Sequence, residues 1–160
     1  MYEYQSARDF FAAVRCAAQE VERTERQIAR MEAAEGVRAQ GYGPAVRGAR
    51  ADVNGTSATD ARIDYEGRMR RRLEEDYALV ERGCFVCYGE DNRGGIAKLL
   101  GSATADALWW RYCAGESWTH AAQMVSAGVS TTKRWCEAAF DLVDGIGLDA
   151  AVSGRGTAEE

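Results

Sequence analysis

The chain has 160 residues, of which 46% are hydrophobic, and a formal net charge of −5. This length fits one domain, or a small domain with a helical extension, and excludes two large domains. No stretch approaches the roughly 18–20 consecutive apolar residues of a membrane span. The first residues also lack the basic-then-apolar order of a signal peptide, so we expect a cytoplasmic protein with no membrane partner and with reduced cysteines.

The acidic balance is concentrated at the carboxy-terminal end. Residues 136–160 contain six acids and one arginine, which accounts for the whole net charge, and the rest of the chain is neutral overall. The charge therefore argues against a strongly cationic, sequence-independent DNA coat but leaves room for a local basic surface.

The region 1–35 is predicted to form an amino-terminal helix. Ser6 is placed to cap it, and residues 7–35 contain no Gly or Pro. Apolar or small residues follow at alternating spacings of four and three, which is a heptad pattern. They are Phe10, Val14, Ala17, Val21, Thr24, Ile28 and Met31. The helix either packs on its own domain, pairs with a second helix in a hairpin, or forms an intermolecular coiled coil. In the last case Phe10, Val14, Val21, Ile28 and Met31 are the oligomerisation residues of a homodimer.

The middle of the chain is predicted to be a loop followed by a second helix. Residues 36–60 are rich in Gly, Ala, Ser, Thr and Arg and lose the helical period, which predicts a long loop or tether. The region 61–101 contains the second helix, over 61–87, then a turn and a short helix that ends at Gly101. Apolar spacing again alternates between four and three in this helix, so a hairpin with the first helix would bury both patterns.

The region 102–148 is predicted to be a helix-turn-helix. Ser102 or Thr104 opens a first helix that ends at Gly115, and Ser117 caps a second helix with Ala121 and Ala122 inside. A turn at residues 127–129 follows, in which we expect a positive φ at Gly128 and a buried Val129. Ser130 is then expected to cap the third helix. The buried stripe of that helix is predicted to be Thr132, Cys136, Ala139, Phe140 and Val143.

The opposite face of the third helix is polar and partly cationic, as in a helix that contacts base edges and phosphates in the major groove. The predicted DNA-binding residues lie on this face and at the start of the second helix. They are Ser117, Thr119, His120, Ser130, Thr131, Lys133, Arg134 and Glu137. A plain three-helix bundle is the alternative. The tail, residues 149–160, is predicted to be disordered and acidic.

This segment resembles the region-four helix-turn-helix of sigma-70-type factors, in the version found in phage and prophage regulators of the ArpU and RinA types. The resemblance rests on matching positions on both sides of the turn. They are Arg111, Tyr112, Gly115, Ser117, Trp118, Ala121, Ala122, Ser130 and Arg134. It implies a sequence-specific regulator of transcription that binds double-stranded DNA and contacts RNA polymerase. Thr132 and Ala121 stand where the family has larger aliphatic residues, so we expect a lightly packed core.

Residues that suggest other chemistry are few. Cys84 and Cys87 form the only metal-like pair, whereas a structural zinc site needs four ligands, so we expect both sulfurs to pack in the core. The only histidine, His120, has no nucleophile or orienting carboxylate that the sequence places beside it. We therefore expect no enzyme, catalytic residue, metal, cofactor or small-molecule substrate.

Two other functions fit a helix-turn-helix joined to a helical region. A phage small terminase subunit would assemble as a ring of about eight or more copies, whereas a regulator would be a monomer or dimer. A phage-encoded inhibitor that uses the same fold to bind a protein would not bind DNA.

Overall fold

The structure, a computed structural model, describes residues 4–40 and 53–156, with side chains described for residues 4–36 and 59–156. Every regular element within these ranges is a helix, and they contain no strand, which confirms the predicted all-α class. In the same residues no helix is both long and apolar enough to cross a lipid bilayer. The helices are α1 (Ala7–Gln40), α2 (Val53–Tyr88), α3 (Gly95–Leu100), α4 (Ser102–Leu108) with a π-helical turn (Trp109–Cys113), α5 (Trp118–Met124), α6 (Val129–Ile146) and α7 (Leu148–Ser153).

The two long helices extend further than the sequence predicts. α1 continues to Gln40 and α2 begins at Val53, so the loop predicted over 36–60 is wrong at both ends. The rest of that predicted loop, residues 41–52, lies outside the described residues. A single glycine costs a helix only about 1 kcal/mol, and a side chain at Gly36 would meet no other atom within 4 Å. Composition therefore assigned residues 36–40 and 53–60 wrongly to a loop.

The chain divides into two compact units. The larger unit comprises Met1–Gln19 and Asp76–Glu160, and the smaller unit is Glu20–Glu75. The smaller unit contains parts of α1 and α2, which run antiparallel: Glu20 pairs with Arg72 at 3.6 Å, and Glu35 pairs with Arg62 at 2.8 Å. Ile28 is buried here, and Val21 and Met31 are half-buried, so the predicted heptad positions face inwards. Pairing with a second chain stays a prediction.

The larger unit has an aromatic core. Phe11 is fully buried, and its ring centroid lies 5.1 Å from that of Phe10, 5.7 Å from Tyr112 and 5.6 Å from Phe140. Gly83 allows α2 to approach α1 closely, because a Cβ at this position would lie 2.7 Å from a methyl group of Val14. The glycine that weakens α2 as an isolated helix thus permits its packing.

Both ends of the larger unit are held by specific contacts. At the amino-terminal end, the Ser6 hydroxyl accepts a hydrogen bond from the Asp9 N–H at 3.2 Å, which confirms the predicted cap. At the other end, the prediction of disorder over 149–160 is wrong for its first part, because α7 runs from Leu148 to Ser153 and its Ala151 is fully buried. The tail was predicted to be disordered because of its acidic composition, although residues 148–153 include a short apolar stretch. Residues 157–160 lie outside the described residues.

Candidate nucleic-acid interface

The approach to α5 is a π-helical turn that ends at a glycine. The Ala114 N–H donates to the Trp109 carbonyl at 2.8 Å, and Gly115 follows with a φ of +74°. The helix therefore stops at the glycine that the sequence indicates. π-Helical turns of this kind occur frequently at functional sites.

Helices α5 and α6 are joined by residues 125–128, and the first of them is capped as predicted. The Ser117 hydroxyl accepts a hydrogen bond from the His120 N–H at 3.1 Å, and Ala121 and Ala122 are buried. A small residue at position 121 thus fits directly into the core.

The turn itself differs from the prediction at three residues. The positive φ, 54°, belongs to Ser126, whereas Gly128 has a φ of −70° and is the N-cap of α6. Because α6 begins two residues earlier than expected, Ser130 is not its cap but lies in its first turn. Val129 is 36% exposed and does not enter the core. Sequence pattern located the turn but not the residue that reverses the chain.

One face of α6 is buried as predicted. Its buried residues are Thr132, Cys136, Ala139, Phe140 and Val143. Thr132 is compatible with this position because its hydroxyl donates to the Gly128 carbonyl at 2.9 Å, so no polar group is left unpaired. Burial raises the pKa of the Cys136 thiol to about 12 and that of the Tyr112 hydroxyl to about 12, so both stay neutral inside the core.

The eight predicted DNA-binding residues lie together on the cap of α5, on α5 and on the first half of α6. Seven are exposed and Thr131 is half-buried. Four of them make contacts through their side-chain ends: the Ser117 hydroxyl caps α5, Lys133 Nζ lies 5.6 Å from the centroid of the Trp118 ring, His120 pairs with Glu116, and Glu137 pairs with Arg8. Within the part of the chain that the structure describes, Arg134 has no hydrogen-bond or ion-pair partner. Its guanidinium is therefore available to a ligand.

Sequence reasoning missed the contribution of Arg111. It is not among the predicted DNA-binding residues, but its guanidinium carbon lies 4.5 Å from the centroid of the Trp118 ring. Its Nη1 donates to the Glu116 carbonyl at 3.0 Å. Lys133 approaches the same ring, so two cations share one indole. Arg111 and Trp118 lie on opposite sides of the break at Gly115, so helical spacing in the sequence could not have predicted this pair.

The histidine has a partner that the sequence did not predict. Its Nδ1 lies 3.2 Å from the Glu116 carboxylate, and its ring stacks on Trp110 at 5.8 Å between centroids. These contacts orient the imidazole at the start of α5.

The cysteine pair belongs to a cluster of thiols. A hydrogen bond with Cys113 and burial both raise the pKa of Cys84 well above its usual range, so the reactive thiolate is disfavoured. All five cysteines are free thiols. The described residues contain no group of three or more histidine, cysteine or acidic side chains arranged to hold a metal ion.

Comparisons with protein-family models, curated proteins and solved structures give no match to this chain.

Proposed function

We propose that the chain is a sequence-specific DNA-binding protein that inserts α6 into the major groove, and that it regulates transcription. The observation that supports this most directly is the division of α6 into a fully buried stripe and an exposed polar face with two cations, Lys133 and Arg134. α6 has 18 residues, which at a rise of about 1.5 Å per residue gives a length of about 27 Å. The major groove is about 12 Å wide and admits an α-helix.

The proposed roles follow from chemistry and position. Arg134 is suited to bidentate recognition of a guanine, and Ser130 and Thr131 to shorter contacts with base edges or phosphates. Lys133 contacts phosphate, because its exposed side chain holds its ammonium group 5.6 Å from the centroid of the Trp118 ring, beside the start of α6. The proposed contacts at the start of α5 are with the neighbouring DNA backbone. They are made by Ser117, Thr119 and His120.

The resemblance to phage and prophage regulators with a sigma-70 region-four-like helix-turn-helix suggests the kind of DNA site and the protein partner of the proposed regulator. In this proposal the double-stranded DNA is a promoter or an operator, and the second partner is RNA polymerase. A homodimer would present two reading heads, each on one half-site.

The experiment measures binding of the full chain to duplex DNA from its source genome, with and without the two cations. Arg134→Ala should cost about 1–3 kcal/mol on the specific site and relax its sequence preference. Lys133→Ala should weaken binding to all duplexes alike and reduce the salt slope by about 0.9.

The matched control is Arg155→Ala, which removes an exposed cation beyond α7. It should leave the affinity unchanged. Equal affinity of Lys133→Ala, Arg134→Ala and the unmodified chain would refute the assignment of α6 to the groove.

A further inference from the structure

We infer that Arg15 of α1 and Arg111 of the π-helical turn form a phosphate-binding pair that extends the proposed DNA interface onto α1. The pair takes a backbone phosphodiester of the duplex, so this inference rests on the proposed function and adds a second element to its interface. Arg15 is not among the residues that the sequence predicts to bind DNA.

The two guanidiniums converge on the same backbone oxygen. Arg15 Nη2 lies 3.4 Å from the Gly115 carbonyl oxygen and 3.5 Å from that of Glu116, and Arg111 Nη1 donates to the latter at 3.0 Å. The Gln19 side-chain oxygen accepts from Arg15 Nη1 at 2.9 Å in the amide orientation that satisfies its neighbours. Every one of these acceptors is neutral.

The pair also has more donors than acceptors. Each guanidinium has five N–H groups, and the Nε atoms of Arg15 and Arg111 are both buried without a hydrogen-bond partner. Unpaired buried donors are uncommon, and in a native protein they call for an explanation such as an absent ion. A phosphate at the two guanidiniums would supply charged acceptors, whereas the carbonyl and amide oxygens that they contact are neutral.

The positive charges of Arg15 and Arg111 also favour an anion as the ligand. Burial lowers the pKa of Arg111, and the positive charge of Arg15 adds to this effect, so the two cations are close enough to repel one another. Among the described residues neither arginine forms an ion pair with a carboxylate, and the Glu116 carboxylate beside them is paired with His120. A phosphate would replace this repulsion with two attractive contacts.

The position of the pair makes it continuous with the α6 cations. Arg111 lies over the Trp118 ring, and Lys133 of α6 lies over the same ring. The indole holds Arg111 in place, so less side-chain entropy is lost when a planar, bidentate contact forms. Arg15, Arg111 and Lys133 would therefore follow one stretch of DNA backbone, while Arg134 reads the bases.

The first arm of the test uses inorganic phosphate and the full chain. The arginine Nε–Hε resonances are followed by NMR during titration with phosphate and, separately, with chloride at equal ionic strength. We expect the signals of Arg15 and Arg111 to move saturably with phosphate alone, and Arg15→Gln to abolish the movement of the Arg111 signal. The same small response to both anions would overturn the inference.

The second arm uses duplex DNA and measures the dependence of binding on salt. Arg15→Gln and Arg111→Gln should each reduce the log–log salt slope by about 0.9, whereas Arg23→Gln, an exposed α1 control, should not. Arg15→Lys keeps the charge and should restore most of the slope, which separates a phosphate contact from a structural effect. Circular dichroism and the melting temperature confirm that each variant is folded.

The two arms separate failure of the inference from failure of the proposed function. If Arg134→Ala weakens binding but Arg15→Gln leaves the slope unchanged, the phosphate pair is wrong and the groove assignment stands. If the chain binds no duplex but phosphate moves both arginine signals, the pair stands as an anion site and the proposed function is wrong.

Discussion

Each of the two units is stabilised internally by a different kind of contact. The larger unit buries whole aromatic side chains, including Phe10 and Phe11, at the centre of a continuous apolar cluster. In the smaller unit the buried side chains among the described residues are Thr24, Ile28 and Met69, and its helices are also joined by ion pairs between exposed side chains. Burial of apolar area stabilises far more than exposed ion pairs do. We therefore expect the larger unit, which contains the candidate interface, to be the more rigid of the two.

Removing an aromatic ring from the larger unit should have the largest effect. Phe11→Ala deletes a fully buried ring that contacts three other aromatic residues, and we expect the free energy of unfolding to fall by about 3–5 kcal/mol. Met124→Ala removes a side chain that is 47% exposed, and should change stability by less than about 0.5 kcal/mol. Chemical denaturation measures both. Equal losses in the two variants would show that the aromatic cluster does not stabilise the fold.

A charge inside the smaller unit should have the next largest effect. Ile28→Lys places an ammonium group at a buried position and should lower the free energy of unfolding by roughly 1–3 kcal/mol. Ala29→Lys, at the exposed neighbouring position, is the control. Because Ile28 packs within one chain, the mass in solution should stay constant. A fall in mass would instead support the coiled coil between two chains.

Raising the pH should destabilise the larger unit more gradually. Burial raises the pKa of Cys136 from 9.0 to about 12, so the folded state keeps the proton that the unfolded state releases. The contribution of this thiol is therefore fully present below pH 9 and is lost as the pH rises towards 12. Tyr112 acts in the same direction, since burial raises its pKa from 10.0 to about 12.

Denaturation curves recorded across this pH range check the assignment. Cys136→Ala should flatten the decline in stability, and Cys16→Ala, at an exposed thiol, should leave it unchanged. An identical decline in the Cys136→Ala variant would contradict the burial of the thiol.

Breaking an ion pair of the smaller unit should have the smallest effect. Arg62→Ala removes the partner of Glu35, and because the Arg62 side chain is 41% exposed we expect a loss of only about 0.2–1 kcal/mol. High salt should produce a similar change in the unmodified chain and no further change in the variant. A loss as large as that of Phe11→Ala would mean that ion pairs, not apolar burial, hold the smaller unit.

Local patterns in the sequence predicted the parts of the fold that depend on local chemistry. The Ser6 and Ser117 caps follow from hydroxyls placed before helical runs, and the buried stripe of α6 follows from helical spacing. The ends of α1 and α2 could not be predicted, because helix propensity is too weak to place a boundary in a Gly- and Ser-rich stretch.

Long-range contacts explain the remaining differences. The positive φ at Ser126 is not the conformation its side chain favours and is imposed by the packing of α5 against α6. Arg15 and Arg111 are far apart in the sequence and meet only because α1 packs against the π-helical turn. No spacing rule predicts a pair of that kind, so the candidate interface was found on α5 and α6 alone.

The measurement that tests the central claim most directly is a footprint of the full chain on fragments of its source genome at physiological salt. We predict a discrete protected site with a dissociation constant in the range of about 10⁻⁸–10⁻¹¹ M. Protection should require roughly 5–150-fold more protein in Arg134→Ala, as a loss of about 1–3 kcal/mol implies, and should be unchanged in Arg155→Ala. Uniform protection along every fragment, or no protection at any concentration, would contradict the account.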